Sequence, residues 1–578
     1  MSDYLSKLEE TSSRNDMIKI LSDLFKESST DEIDKVAYFL TGSIAAGYKD
    51  VQLGIGESMA KSSIALASDV DEDEVEDMMK NLGDLGDVAY KLGGEKDSLY
   101  PEFFKVEGDL TVDKVHEGLM RVAEASGESS QETKVKTLAS IVAAADSESR
   151  RYIVRLSVQQ MRLGVGDMTI LDGLADSFLG SKDERPPLEH AYNVCSDLGY
   201  VAKILSKSGL DGVKRIRIAL NRPLKPMLAQ RVDKMSDILK KIDSDEISVE
   251  EKYDGERVQA HKDGDKVRLY SRRLNEITQQ FPEIVKSVAR HVEAETVILD
   301  GEAVAYDFGK ENYMSFQKVM SRRRKYDVDE FMSKVPVKYM VFDIIYRNGS
   351  SMMRKSYPER LENLKEVLKG DKHMSSTGRI KTSKLEDLDD FFQNCIGRGL
   401  EGVVCKSLAN DSYYRAGARE WSWIKWKPSY GSELADTVDL VVVGAYAGRG
   451  KRSGTYGALL CASYNHEKDV YQTVCKLGAG FKDEDLQNLP DKLKDARTND
   501  KPVRLEVTKQ VEPDYWFQPV YVLEVKASEI TESPVHTCNW DKDKGRGLAL
   551  RFPRFERWRP EKSAEDATTV EESVEMSK

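Results

Sequence analysis

Hydrophobic residues recur at three- and four-residue spacing along the first part of the chain. Segments 17–25 and 134–145 show this spacing, which places their apolar side chains on one face of a helix. Glycine, serine and aspartate separate such segments, as is typical of helix caps and stops. The pattern predicts an all-α domain over residues 1–222, and Pro223 and Pro226 mark a linker after it.

The spacing changes to two-residue alternation beyond residue 245. Residues 257–273 contain two alternating runs around Gly264, which predicts a β-hairpin. Further strands alternate with helical patterns, and this mixture indicates an α+β domain over residues 223–432. These further strands are predicted at 296–307 and 337–346, and the helices at 281–292 and 358–369.

Short strands dominate the chain from residue 436 onward, separated by glycine-rich or charged turns. This pattern is typical of a small β-barrel and predicts one over residues 433–565. The polar tail, 566–578, is compatible with either one short helix or disorder. The strands of the barrel are predicted within 436–450, 456–465, 520–530 and 548–558.

Length and composition agree with several soluble domains. The chain has 578 residues, too many for one hydrophobic core, and is 40% hydrophobic and 32% charged. No apolar run approaches the roughly 18 to 20 residues that span a bilayer, and the N-terminus lacks a secretory signal pattern. The six cysteines are scattered without a CxxC pair, which disfavours a disulfide framework or a cysteine zinc site. We expect a reducing, cytoplasmic setting and no membrane contact.

The net charge of −13 is unevenly distributed. Residues 1–222 contain 27 basic and 40 acidic side chains, whereas the remainder contains 60 of each. Phosphate binding depends on the local face rather than on the total, so this acidity does not exclude nucleic acid. Segment 201–225 is strongly basic, and we expect it to take part if the first domain touches nucleic acid. Its cations are Lys203, Lys207, Lys214, Arg215, Arg217, Arg222 and Lys225.

Lys252 lies at the end of a predicted strand, between acidic residues and a Tyr-Asp-Gly turn. An amine is a nucleophile only without its proton, so a nucleophilic lysine needs nearby cations or a metal ion. Arg257, Arg272 and the pair Lys425 and Lys427 are candidates. Alternation places Lys425 and Lys427 on the same face of a strand. We expect both to point at phosphates; an exposed strand face is the alternative.

Two acidic residues lie beside glycines in apolar segments: Glu302 follows Gly301, and Glu401 precedes Gly402. A carboxylate flanked by buried residues is costly unless it is paired or binds a metal. Together they predict a Mg²⁺ site against the α-phosphate of a nucleotide. Two salt bridges at strand ends are the alternative.

A bare Lys-x-Asp-Gly is weak evidence, but here it opens an ordered series. The series resembles the nucleotidyltransferase motifs of ATP-dependent DNA ligases, in particular the replicative type of archaea and eukaryotes. The resemblance covers nearly the whole chain and implies a helical DNA-binding domain, an adenylation domain and an OB-fold domain. The motifs are KYDGER (252–257), SRR (271–273), LDGE (299–302), VFDII (341–345), EGVVCK (401–406), YRAGARE (414–420), WIKWK (423–427) and LRFPRFERWRPEK (550–562).

The resemblance implies that Lys252 attacks the α-phosphorus of ATP and becomes a lysyl-AMP. The AMP then passes to the 5′-phosphate of a nick, and the 3′-hydroxyl displaces it, as replication, repair and recombination require. Mg²⁺ is the expected metal, with Mn²⁺ as an alternative, and Glu302 and Glu401 are the expected ligands. RNA ligases and mRNA-capping enzymes share several motifs, but the helical first domain argues against them. A zinc-binding cysteine cluster, expected in an NAD-dependent ligase, is absent.

The resemblance also assigns nucleotide contacts within the adenylation domain. Glu250 is expected beside the adenine, which stacks on Phe342, and Glu302 binds the ribose or the metal. The other contacts are to ribose and phosphates. They are Arg257, Arg272, Arg419, Lys425 and Lys427.

The resemblance extends to the last motif, where Arg557, Arg559 and Lys562 are expected to approach the pyrophosphate. The family often has Asp-Lys at its end, whereas this chain has Glu561, a longer acid of the same charge, before Lys562. In the glycine-rich loop 444–457 we expect Arg449, Lys451 and Arg452 to contact DNA; a solvated loop is the alternative.

The expected partner is nicked double-stranded DNA, bound by a monomer in the nucleoid region of the cytoplasm. Phe103 and Phe104 resemble the Phe-Phe motif by which archaeal ligases of this kind dock on the sliding clamp. The glutamine expected upstream is absent, and Asp97 occupies that place. Buried core aromatics are the favoured alternative.

Overall fold

The computed structural model describes residues 1–93, 100–232, 234–314, 319, 322, 335–427, 437–448, 452 and 454–577. The chain folds as two compact units. The first comprises Met1–Ser63 and Gly94–Tyr430, and the second comprises Ile64–Gly93 and Gly431–Lys578. The predicted domain limits at residues 222, 432 and 565 stay predictions. No described helix is long and apolar enough to cross a membrane.

The N-terminal region is helical, as the spacing of its apolar residues predicts. Caps fix several helix starts: the side chains of Ser13, Thr111, Asp146 and Asp197 each accept a hydrogen bond from a backbone N–H of the first turn. The helices are α1 (Ser2–Glu10), α2 (Arg14–Glu27), α3 (Ile33–Leu40), α4 (Glu57–Ser68), α5 (Glu72–Leu82), α6 (Leu85–Lys91), α7 (Val112–Glu124), α8 (Ser130–Ala143), α9 (Ser147–Ser157), α10 (Asp167–Leu179), α11 (Arg185–Cys195) and α12 (Leu198–Val213).

Two sheets and four α-helices follow among the described residues of the first unit. One sheet has the strand order β1-β12-β11-β2-β10, and the other has the order β4-β3-β5-β7-β8, with β6 on β5 and β9 on β7. The strands are β1 (Leu228–Arg231), β2 (Ile247–Lys252), β3 (Glu256–Asp263), β4 (Lys266–Ser271), β5 (Thr296–Asp307), β6 (Asn312–Tyr313), β7 (Val337–Arg347), β8 (Ser350–Ser351), β9 (Met374–Ser376), β10 (Arg379–Thr382), β11 (Gly402–Ser407) and β12 (Arg419–Trp426). The helices are α13 (Ile238–Lys241), α14 (Pro282–His291), α15 (Tyr357–Val367) and α16 (Leu385–Gly397).

The chain passes from one sheet to the other directly after Lys252. Strand β2 lies in the first sheet and β3 in the second, and the turn between them contains Gly255. A side chain at Gly255 would collide with the carbonyl oxygen of Ala303 and come within 2.9 Å of the Glu302 side chain. Glycine therefore lets the turn between β2 and β3 approach β5 closely, and Lys252 lies where the two sheets meet.

The second unit contains the predicted β domain. Its larger sheet has the order β16-β18-β13-β14-β15-β17, with β19 joining β13 to β23; its smaller sheet has the order β20-β22-β21. The elements are β13 (Val438–Ala447), β14 (Tyr456–Asn465), β15 (Val470–Leu477), α17 (Asp483–Lys492), β16 (Arg497–Thr498), β17 (Leu505–Glu506), β18 (Tyr515–Phe517), β19 (Val522–Lys526), β20 (Glu529–Ser533), β21 (Cys538–Asp541), β22 (Arg546–Arg551), β23 (Arg554–Trp558) and α18 (Val570–Met576).

Two strands predicted as continuous are each divided between the two sheets. Segment 520–530 forms β19 and β20, and segment 548–558 forms β22 and β23. Phe552 has a φ of 51° and Pro553 has no N–H, so the ladder cannot continue through them. The tail forms α18 with Val570 buried, so the helix rather than disorder is the correct alternative.

Candidate active site

A cavity of about 310 Å³ lies between the two sheets of the first unit. Its wall residues come from both sheets and from the turn after β2, all within this unit. The cavity therefore brings together motifs that are far apart in the sequence. The predicted residues that line it are Glu250, Lys252, Arg257, Arg272, Glu302, Phe342, Arg419 and Lys425.

Lys252 ends β2 and pairs with Glu401, which directly precedes β11. The backbone fixes this pairing, because Glu401 N donates to Lys252 O at 2.9 Å. The other carboxylate oxygen of Glu401 accepts from Lys427 at 2.9 Å. Burial alone would raise the pKa of Glu401, but its two lysine partners outweigh burial and hold it below the usual value. Glu401 thus stays a carboxylate between two ammonium groups.

Cations converge around Lys425. Burial, and after it the neighbouring positive charges, lower the pKa of its ammonium group. Arg419 and Arg272 lie on the exposed rim of the cavity, and Lys252 lies inside it. Such a concentration of positive charge suits an anionic ligand such as a triphosphate. The charges that act on Lys425 are those of Lys252, Arg419, Lys427 and Arg272.

Glu302 is the second acid of the cavity. Burial raises its pKa to about 7, although Lys252 and Arg257 act in the opposite direction. The negative charges of Asp300 and Glu401 add to the rise. Two carboxylates beside a cluster of cations fit Mg²⁺, which typically takes one or two protein carboxylates and completes its shell with phosphate oxygens and water. In the part of the chain that the structure describes, no group of three or more metal-ligating side chains occurs.

Arg257 is held in one orientation. Its guanidinium donates two hydrogen bonds to Asp300, at 3.0 and 2.7 Å, and one to Met227 O at 2.8 Å. Burial alone would lower the pKa of Arg257, but the negative charge of Asp300 raises this pKa above its ordinary value. The guanidinium lies 5.4 Å from the centre of the Phe342 ring. A fixed charge beside an aromatic ring suits a nucleotide whose base stacks there.

Lys406 lies at the same end of the cavity and was missed by the sequence analysis. Its ammonium pairs with Glu250 at 2.8 Å and lies 4.7 Å from the Phe342 ring centre and 4.3 Å from that of Trp423. Burial would raise the pKa of Glu250, but Lys406 and Arg379 lower it overall. Alternation along β11 was the available signal, because Val404 and Lys406 share the face that lines the cavity.

The residues predicted from the last motif lie in the second unit. Arg557 pairs with Glu524 at 2.6 Å and Lys562 with Asp439 at 2.7 Å. Arg559 bridges the same two carboxylates, at 2.9 Å from Asp439 and 3.3 Å from Glu524. These cations are therefore engaged by protein carboxylates. Of the loop cations, Arg449 and Lys451 lie outside the described residues.

The two phenylalanines proposed for clamp docking differ in exposure. Phe104 is buried, with 2% of its surface exposed, and Arg121 lies 5.1 Å from its ring centre. Phe103 is half-buried, with Lys136 at 5.0 Å from its ring centre. Phe104 therefore belongs to the core of the helical region, as the favoured alternative expected. Clamp docking stays a prediction.

Three family models match the chain. They describe a DNA ligase N terminus over residues 1–175, an ATP dependent DNA ligase domain over 226–427 and an ATP dependent DNA ligase C terminal region over 452–562. The middle match contains every wall residue of the cavity. The solved structure of Pmar-Lig_PreS3 is similar in fold, with a TM-score of 0.54 at 19% identity over 96% of this chain and 99% of that one.

Full-length relatives agree with these models. A DNA ligase of Staphylothermus marinus is 44% identical over 100% of this chain and 98% of its own length. DNA ligase 2 of Thermofilum pendens is 45% identical, with 100% and 96% covered. A probable DNA ligase of Aquifex aeolicus is 42% identical, with 100% and 97% covered.

Proposed function

Since this chain belongs to the family of ATP-dependent DNA ligases, we propose that Lys252 is its nucleophile and carries AMP between ATP and the nick. The observation that carries the proposal is the position of Lys252 in the cavity, paired with Glu401 and near Lys425. Amine, acid and cations are the groups that attack on an α-phosphorus requires.

In the first step the Lys252 nitrogen forms a bond to the α-phosphorus, and the bond to the pyrophosphate oxygen breaks. The Lys252 ammonium loses its proton before the nitrogen attacks. Glu401 and Glu302 would hold Mg²⁺, or Mn²⁺ in its place, and the metal would neutralise negative charge on the phosphates.

The second and third steps use the stored AMP. A 5′-phosphate oxygen of the nick attacks the phosphorus of lysyl-AMP, and Lys252 leaves as an amine. The 3′-hydroxyl then attacks the activated 5′-phosphate, its proton is lost, and AMP leaves as the strand is joined. Lys425 lies among the cations that stabilise the phosphates in each step.

Adenine is expected beside Phe342, with its amino group donating to Glu250. Glu250 is ionised and bound by Lys406, so it offers an acceptor to an amino group and would repel the carbonyl oxygen of guanine. Arg257, Arg272 and Arg419 are expected to contact ribose and phosphates. This arrangement favours ATP over GTP.

The proposed substrate is nicked duplex DNA, bound by a monomer in the nucleoid region of the cytoplasm. The curated relatives are DNA ligases, and the basic segment 201–225 offers phosphate contacts in the helical region. An RNA ligase or capping enzyme would instead join or cap RNA ends.

The experiment compares the wild type with Lys252→Ala on two substrates, an ordinary nick with ATP and a nick that already carries the 5′-AMP. We expect the variant to fail on the first and to seal the second, because only the first requires the amine. Lys240→Ala, which changes an exposed lysine outside the cavity, is the matched control. Sealing of the ordinary nick by Lys252→Ala, or preference of the wild type for RNA ends, would contradict the proposal.

A further inference from the structure

A second cavity, of about 930 Å³, lies between α11–α12 and the adenylation domain within the first unit. We call it the interdomain crevice. One wall comes from α11 and the segment after α12, and includes Lys214 and Arg217. The other comes from the residues after β8 and before β12, and includes Arg354 and Arg415. It is separate from the cavity that contains Lys252, which we call the nucleotide cavity, because the two share no wall residue.

The rim of the interdomain crevice is positively charged. Lys214, Arg217, Arg354 and Arg415 are all exposed. Among the described residues, the first three of these have no carboxylate partner. The two acids of the wall are already paired: Glu189 with Arg185 at 3.1 Å, and Glu420 with Arg415 at 3.8 Å.

Cations from the two walls converge on His190. Partial burial, and then the charges of Arg354 and Arg217, lower the pKa of this histidine. Arg354 and Arg217 come from opposite walls, so an anion in the crevice would meet both. The positive charge is therefore arranged across the crevice rather than along one helix.

The crevice is preformed, because its walls are packed together beneath the rim. Lys225 N donates to Asn193 O at 2.8 Å, and Gly417 N donates to Lys225 O at 3.0 Å. A side chain at Gly417 would come within 2.6 Å of the Asn193 side chain, so only glycine permits this contact. The floor is apolar and includes the buried Val194 and Met353.

We propose that the interdomain crevice binds the sugar-phosphate backbone of the duplex, with Arg217 and Arg354 contacting phosphates from opposite walls. A charged rim suits consecutive phosphates and an apolar floor suits deoxyribose, whereas a single small anion would use only part of the rim. The inference rests on the proposed function, and it explains the basic segment 201–225, part of which forms this wall.

The test uses Arg217→Gln, Arg354→Gln and the double variant of the full chain. Affinity for a nicked duplex is measured by fluorescence anisotropy over a series of salt concentrations. Each lost phosphate contact lowers the slope of log affinity against log salt by about 0.9, which weakens binding about eightfold near about 0.1 M salt. Lys26→Gln is the matched control, since Lys26 is exposed on α2 and lies outside the crevice.

Enzyme-AMP formation with ATP alone is measured on the same variants, and we expect it to be unchanged. Slopes equal to that of the wild type in both single variants and the double variant would overturn the inference. Equal falls in enzyme-AMP formation and DNA affinity would also overturn it, because the substitutions would then act on folding. Absence of the adduct in the wild type would instead overturn the proposed function.

Discussion

Individual side chains of the nucleotide cavity were predictable where a motif marks them. Lys252, Arg257, Glu302 and Phe342 line one cavity although 90 positions separate the first from the last. Alternation along β11 placed Lys406 on the same strand face as Val404, but it carried no signal of the partner of this lysine. Its role depends on Glu250, which only the pairing of β2 with β11 brings near.

Lys406→Met tests the importance of this partner. The substitution leaves the buried Glu250 carboxylate without its closest cation, so we expect a loss of about 3–5 kcal/mol in the free energy of unfolding. The KM for ATP should rise more than the rate constant of adenylation falls. Chemical denaturation and single-turnover kinetics measure the two effects. Lys406→Arg should restore part of the stability and part of the ATP affinity. A Lys406→Met variant as stable as the wild type would contradict the importance of the Lys406–Glu250 pair.

The pKa of Glu302, about 7, predicts that metal use depends on pH. Protons and Mg²⁺ compete for this carboxylate, so half-maximal enzyme-AMP formation should need more Mg²⁺ near pH 6 than near pH 8. The same shift makes stability fall as pH rises from 4.5 towards 7, because the unfolded chain ionises first. Glu302→Gln should abolish both trends. An Mg²⁺ requirement independent of pH would contradict the assignment.

Secondary-structure elements were predictable wherever a regular period runs without interruption. Segment 296–307 coincides with β5, and segment 337–346 lies within β7. Strand β1 was not predicted, because the prolines of the linker precede it and its partner β12 lies far along the chain. The break at Phe552 was also missed, since apolar residues continue on both sides of it.

Gly255→Ala tests the turn that aligns Lys252. The added methyl group would collide with the backbone of β5, so we expect the turn to shift and enzyme-AMP formation to fall by at least tenfold, with a loss of about 1–3 kcal/mol in stability. The matched control is Gly264→Ala in the β3–β4 hairpin, where φ is +58°. It should cost similar stability but keep adenylation. Equal rates for both variants would show that the turn does not position the lysine.

The chain as a whole carries the family architecture, and the ordered motif series made that predictable. The grouping of the chain into two compact units was not predictable from the sequence. It depends on packing between helices and sheets, which no local pattern encodes. The acidic total likewise conceals basic surfaces: Arg217 and Arg354 meet across a crevice although their segments are 137 positions apart. The local distribution of charge, and not the net charge, therefore indicates where an anion can bind.

The cations of the last motif are expected to act in the first step. Arg557 and Lys562 are proposed to meet the pyrophosphate, exchanging Glu524 and Asp439 for phosphate oxygens. The double variant Arg557→Gln, Lys562→Gln should therefore slow enzyme-AMP formation by at least tenfold and spare sealing of a nick that already carries AMP. Arg546→Gln, which removes an exposed cation outside the motif, is the control. An equal loss of enzyme-AMP formation and of sealing of the AMP-carrying nick would contradict a role of these cations in the first step alone.

The most direct test of the central claim is to locate the AMP on the protein. The wild type is incubated with ATP and Mg²⁺, digested, and the modified peptide is sequenced by tandem mass spectrometry. We predict a single adduct, on Lys252, released when nicked DNA is added. An adduct on Lys425 or Lys427, or one that nicked DNA leaves in place, would contradict the account.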